Sequence, residues 1–277
     1  MLALFRWVSR LPLGLLHALG AASGWLTWLL SPTYRRRIRD NSAQAGFAFA
    51  RIRGCIAHAG RMVLETPRLW FGPPVPVQWG PGLVLLERSF ARGKGVVLLT
   101  PHLGCFEITA QGVSQHFSAR YGPLTVLYRR ARQPALARVI EHARKRDGLD
   151  TAPATLSGVR QLIRALRKGQ AVGLLPDQVP PQGQGVWSPV FGKPAYSMTL
   201  AARLVQKTGA DPLLIWGERL AHARGFYLHV EPFDGELSPD LETAVGQING
   251  AMEALIRQRP EQYLWGYGRY KTPRSQA

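Results

Sequence analysis

V-V-L-L-T-P-H-L-G-C-F-E, residues 96–107, joins an unbroken apolar run to a short polar turn and then to the start of an amphipathic stretch. A run that is apolar at successive positions suits a strand covered on both faces, as in the interior of a parallel sheet. Outward from it, L-T-V-L-Y (124–128), A-V-G-L-L (171–175), P-L-L-I-W (212–216) and F-Y-L-H-V (226–230) read the same way. Between these runs, residues 134–147, 155–168 and 197–208 carry helical patterning, and Gly169 and Gly209 stop the last two. Leu241, Val245, Ile248, Met252, Leu255 and Ile256 keep helical spacing near the end of the chain. Strands alternating with helices predict an α/β domain with a mainly parallel central sheet flanked by helices.

In open α/β sheets, sites gather where strands end. His102 falls in the turn after the 96–100 run, Gly104 lets the backbone bend closely, and Glu107 falls in the first turn of the helix that follows. A hydroxyl is a poor nucleophile at neutral pH, and an imidazole within hydrogen-bond reach can take its proton during attack. A carboxylate on the other ring nitrogen fixes the tautomer and stabilises the imidazolium that forms. His102 and Glu107 are therefore expected to act as a His/carboxylate pair, against the alternative that His102 is a structural histidine beside a core strand.

The chain has 277 residues with 35 Lys and Arg against 17 Asp and Glu, a formal charge of +18, so it should seek anionic partners. Residues 11–30, L-P-L-G-L-L-H-A-L-G-A-A-S-G-W-L-T-W-L-L, contain no charged residue and match the ~30 Å of a bilayer's hydrocarbon core. Arg6 and Arg10 precede this segment, and Arg35, Arg36, Arg37 and Arg39 follow it. We expect an N-terminal membrane-anchor helix within residues 1–35 and a catalytic domain over 36–277 on the cytoplasmic side. The alternative for 11–30 is a buried helix of a soluble domain. Residues 40–70, with Ile52, Ile56, Met62, Val63 and Leu69, suggest helices on the membrane or against the main domain, and the proline-rich stretch 71–82 ends that region. Cys55 and Cys105 are too few for a disulfide scaffold or a zinc site, and the scattered histidines lack metal-ligand spacing, so neither metal nor cofactor is expected.

H-L-G-C-F-E resembles the H-x4-D/E motif of glycerolipid acyltransferases, and the rest of the chain is similar to the branch that adds secondary acyl chains to lipid A. The supporting segments are Y-R-R (128–130), L-L-P-D-Q (174–178), G-V-W-S-P-V-F-G-K-P-A (185–195) with the following M-T-L-A-A-R-L, and P-E-Q-Y-L-W (260–265). The resemblance implies transfer from an acyl carrier protein thioester, or acyl coenzyme A, to a hydroxyl of an anionic lipid A precursor at the inner membrane. It implies His102 as general base with Glu107 behind it, and Arg129 and Arg130 near the thioester oxyanion or a phosphate. Asp177, Gly192 and Lys193 are carried as substrate-site residues, with Asp177 assigned to site architecture rather than to proton transfer. Cys105 stands where the family often has Asn, which opens a rival mechanism with Cys105 as an acylated nucleophile, and R-Q-P (132–134) departs from the family's Asn-Pro pair. Residues 180–194 are expected to form a loop bordering the site. Arg138, Arg144, Lys145 and Arg146, with Arg160, Arg164, Arg167 and Lys168, make basic helix faces, read either as solvated surfaces or as a landing surface for an acidic carrier protein or a phosphorylated lipid. The expected state is a monomer that does not bind nucleic acid. The rival readings are an acyltransferase for a lysophospholipid or another glycolipid, and a non-catalytic basic protein that binds membrane or nucleic acid through charge.

Overall fold

The computed structural model describes residues 2–128, 133 and 147–274. Nine strands are found among them: β1 Val77–Trp79, β2 Val96–Leu99, β3 Leu124–Tyr128, β4 Leu149–Pro153, β5 Ala171–Leu174, β6 Gly185–Val190, β7 Lys193–Met198, β8 Asp211–Arg219 and β9 Phe226–Pro232. Seven of these form one sheet in the order β1-β9-β8-β2-β5-β3-β4. All neighbours pair in parallel except β8 with β9. The sheet is thus mainly parallel, and β2 lies at its centre.

Along β2 the side chains alternate between two cores, as a strand's period of two requires. Val97 and Leu99 join Leu162, Ala201, Leu204 and Ile248 on one face. Val96 and Leu98 join Leu86, Phe90, Val113 and Phe117 on the other. The helices on the second face are α6 (Leu83–Ala91) and α7 (Phe106–Tyr121); those on the first are α8 (Leu156–Arg167), α9 (Leu200–Thr208) and α10 (Leu241–Gln258). Gly169 follows α8 and Gly209 ends α9, both at positive φ, where glycine is not strained by a Cβ.

Three expectations need correction. Residues 180–194 do not form a plain loop, because β6 and β7 pair as an antiparallel hairpin from Gly185↔Met198 to Val190↔Lys193. The helix expected from residue 197 starts at Leu200, since Ser197 and Met198 belong to β7. The strands β1 and β4 were not anticipated; both sit at sheet edges, where Gln78 and Asp150 break the apolar runs. The helix expected over 134–147 falls, apart from its last residue, outside the described residues.

Before β1, the chain forms α1 (Leu2–Val8), α2 (Leu13–Leu30), α3 (Pro32–Gln44), the short α4 (Phe49–Ile52) and α5 (Gly54–Phe71). α2 is long and apolar enough to cross a membrane. One side of it, with Leu16, His17, Gly20 and Gly24, is buried. The other side exposes Leu15, Leu19, Trp25, Leu26, Leu29 and Leu30. This inverts the pattern of a surface helix in water, which turns its apolar stripe inward. α2 and α5 pack backbone against backbone: a Cβ on Gly24 would lie 2.1 Å from the Ile56 carbonyl oxygen, and one on Gly60 would lie 1.9 Å from that of Gly20.

Candidate active site

β2 and β5 are parallel neighbours in register to their last residues, Leu99↔Leu174. The turn after β2 carries His102, and the turn after β5 carries Asp177 and Gln178, so strand adjacency alone brings these residues together at the carboxyl ends of the two strands. The His102 backbone N–H donates to Asp177 Oδ2 at 2.9 Å, and His102 Nδ1 lies 2.7 Å from Asp177 Oδ1. Burial on its own pushes the Asp177 carboxyl up, but the His102 ring and these two hydrogen bonds outweigh it and hold the carboxyl below its ordinary value. An ionised carboxylate only accepts, so Nδ1 carries a proton, and in the neutral ring Nε2 then presents a lone pair. Gln178 Nε2 lies 3.0 Å from His102 Nε2 and donates to that lone pair.

This corrects the expected pairing. Both ring nitrogens of His102 are engaged by residues 177 and 178, and neither by Glu107. Glu107, in the first turn of α7, accepts instead from the Trp70 indole N–H at 3.0 Å. Asp177, expected to serve architecture, is the imidazole's carboxylate. Glu107 belongs to an apolar cleft between α7 and the sheet, lined by Trp70, Phe106, Leu127 and Leu175 and reaching down to Leu124 and Leu149. Phe106 links the two features, its ring centroid 5.0 Å from that of His102.

The turn itself is clamped by the segment 260–270. The His102 carbonyl accepts from the Leu264 N–H at 3.2 Å, and the Gly104 N–H donates to the Gln262 carbonyl at 3.0 Å. Gly104 has φ +57, and a Cβ there would fall 2.0 Å from the Gly217 carbonyl oxygen, so the turn admits glycine alone. Below Asp177, the Tyr263 hydroxyl is kept protonated by burial and by the carboxylate's charge, which push its pKa well above the usual phenol value. Arg269 is buried beside the same group, with Nη1 donating to the Tyr196 carbonyl at 2.8 Å.

Cys105 is 1% exposed, and burial, then the charge of Glu65, push its thiol pKa well above the ordinary value. A buried, protonated thiol is a poor nucleophile, so the arrangement disfavours the acyl-enzyme route. Gly192 and Lys193 lie at the tip of the β6–β7 hairpin, with Lys193 Nζ 4.9 Å from the Tyr270 ring. Arg129, Arg130, Arg138, Arg144, Lys145 and Arg146 lie outside the described residues. Reasoning on the sequence did not find Gln178, Trp70, Glu65, Arg219, Gln262 or Tyr263. For Gln178 and the last two, the quoted motifs L-L-P-D-Q and P-E-Q-Y-L-W held the signal.

A family model described as bacterial lipid A biosynthesis acyltransferase matches residues 5–272. The chain is 27% identical over 221 residues to the lipid A biosynthesis palmitoleoyltransferase of Escherichia coli K12, which covers 77% of this chain and 69% of that protein. To the lipid A biosynthesis lauroyltransferase of the same organism it is 26% identical over 220 residues, with 77% and 69% covered. A lipid A biosynthesis acyltransferase of Haemophilus influenzae is 27% identical over 186 residues, covering 66% of this chain and 56% of that protein.

Proposed function

The chain belongs to the bacterial lipid A biosynthesis acyltransferase family and is an O-acyltransferase; from that premise we propose that it moves a fatty acyl chain from an acyl carrier protein thioester, or acyl coenzyme A, to a hydroxyl of a lipid A precursor, with His102 as general base. The observation that carries this reading is the imidazole at the carboxyl ends of the central strands with Asp177 on Nδ1, Gln178 on Nε2, and an apolar cleft beside it.

In the proposed reaction the acceptor hydroxyl displaces the Gln178 amide from Nε2. As its oxygen bonds to the thioester carbonyl carbon, its proton passes to Nε2, and Asp177 stabilises the imidazolium. The C–S bond then breaks, and the thiolate takes the proton from the imidazolium, which regenerates the base. The apolar cleft holds the acyl chain, with Glu107 and Trp70 among its lining residues. Arg129 and Arg130, which follow β3 directly, meet the thioester oxyanion or a phosphate of the acceptor. Gly192 and Lys193 contribute to acceptor binding from the hairpin tip.

A lipid acceptor requires the site to sit at a membrane. The exposed stripe on α2 supports attachment there, and next to it Arg36, Arg37 and Arg39 are exposed on α3, where they can meet lipid phosphates on the cytoplasmic face. The test is transfer by the purified full chain, offered lipid extract and either carrier-linked or coenzyme A-linked acyl chains, read as the acceptor's mass gain of one acyl group. His102→Ala should lower turnover by a factor on the order of 10² to 10⁴ while vesicle binding is kept. Full turnover in that variant rejects the base assignment, and the two donors decide which thioester is used.

A further inference from the structure

A second set of titratable groups, all buried, connects α2 to the His102 turn. His17 Nε2 lies 2.9 Å from Glu65 Oε2. Arg219, the last residue of β8, donates from Nε to Glu65 Oε2 at 2.8 Å and from Nη2 to Oε1 at 2.5 Å. The same Nη2 donates to the Gly104 carbonyl at 2.7 Å. The backbone of Arg219 is held in turn by Gln262, whose Oε1 accepts from its N–H at 2.9 Å and whose Nε2 donates to its carbonyl at 3.1 Å. Gly104 therefore has its N–H fixed by Gln262 and its carbonyl by Arg219, two residues from the imidazole.

Burial pushes the Glu65 carboxyl up, but the Arg219 charge and the His17 hydrogen bond prevail and bring it to about 2. Ionised, it can only accept, so His17 donates from Nε2. A buried ion pair is weak evidence for stability, because apolar residues of similar volume often serve as well. What this one supplies is direction, since Glu65 holds the guanidinium by Nε and one Nη2 hydrogen and thereby aims the other Nη2 hydrogen at the Gly104 carbonyl. The glycine contacts of α2 with α5 leave no slack in between, so a slide or roll of α2 moves His17 against Glu65.

We propose that α2 is a positioning element of the active site: His17 holds Glu65, Glu65 aims Arg219, and Arg219 sets the Gly104 carbonyl and with it the turn that presents His102. The helix that seats the protein in lipid thus also sets the geometry of the base. This rests on the reading of His102 as the base, so the test carries one arm that does not.

That arm is amide hydrogen exchange in the full chain bound to phospholipid vesicles, comparing His17→Ala with His17→Gln, whose Nε2 can replace the imidazole's donor. In His17→Ala, exchange at Gly104 and Cys105 should rise about tenfold or more while β2 amides stay as they were. In the activity arm, kcat should fall by about tenfold to a hundredfold with KM for the acyl donor nearly unchanged, since a small misplacement suffices for that loss. His17→Gln should recover most of both effects. Flat exchange at Gly104, an equal rise through β2, or a glutamine variant as poor as alanine would each overturn the proposal. An active His102→Ala chain alongside a local exchange response would instead leave the positioning intact and remove the base assignment.

Discussion

Asp177→Asn separates the two carboxylates that compete for the role behind His102. Asp177 takes two hydrogens from one residue, the backbone N–H at 2.9 Å and Nδ1–H at 2.7 Å, one on each oxygen. Asparagine has one oxygen and must choose. With its oxygen on Nδ1–H, its own amide faces the His102 backbone N–H, donor against donor, and a buried hydrogen bond is lost at about 1–3 kcal/mol of fold stability. With its oxygen on the backbone N–H, its amide donates to Nδ1, and the ring proton moves to Nε2, where an acceptor hydroxyl needs a lone pair. Either choice also removes the anion that stabilises the imidazolium. We expect kcat to fall by about 10² to 10⁴, KM for the acyl donor to change little, and Asp177→Glu to recover part of the loss. The assay is single-acyl transfer to lipid extract with carrier thioester, paired with urea unfolding to confirm the folded fraction. Turnover in Asp177→Asn within about threefold of the parent chain, an energy difference below 1 kcal/mol, would refute the assignment of Asp177 as the imidazole's carboxylate.

Gly104→Ala should abolish transfer and destabilise the fold by at least about 2 kcal/mol, whereas Gly183→Ala, at φ +83 but with open space around its Cβ, should cost about 1 kcal/mol and leave transfer intact; chemical denaturation of the two variants checks this. Cys105 should resist maleimide in the folded chain at pH 8, and intact mass taken during turnover should show no acyl adduct on it; a trapped thioester at Cys105 would revive the acyl-enzyme route. Stability should fall as pH drops, in two stages. Burial, then the charge of Arg219, lower the His58 pKa from 6.5 to about 3, so the unfolded chain takes a proton below pH 6.5 that the folded one refuses. Glu65, lowered from 4.5 to about 2, adds stability that is fully present above pH 4.5 and is lost as pH falls toward 2, with Asp177 acting in the same direction. Thermal melts from pH 8 to pH 3 should therefore decline gently at first and steeply below 4.5, and a maximum near pH 4 would contradict both shifts.

The central strands were readable because each is covered on both faces: β2 has all four residues buried, and such a run has no polar position to disguise it. β1 and β4 sit at the edges, where Gln78 and Asp150 are exposed, and they merge into the surrounding loops. The hairpin β6–β7 was hidden by Pro189 and Pro194, which pair opposite each other and would exclude these segments from the middle of a sheet.

The same distinction between local and topological information governs the site. His102 was legible because it lies just beyond a strand, and Glu107 stood out as its partner because it is only five residues away, at the start of the helix that follows. Asp177 is 75 residues away, and only the register Leu99↔Leu174 makes it a neighbour. One clue was present: both strands end in leucine, with proline two residues on and a polar side chain directly after it, T-P-H after β2 and L-P-D after β5. Two parallel strands that end alike deliver their polar residues to one place, so similar strand endings are better evidence for a shared site than nearness in sequence. Glu65 and Arg219 offered a weaker sign of the same kind, a single carboxylate within an apolar and basic helix and an arginine closing a buried strand. Each is a charge where burial is expected, and burial obliges it to find a partner.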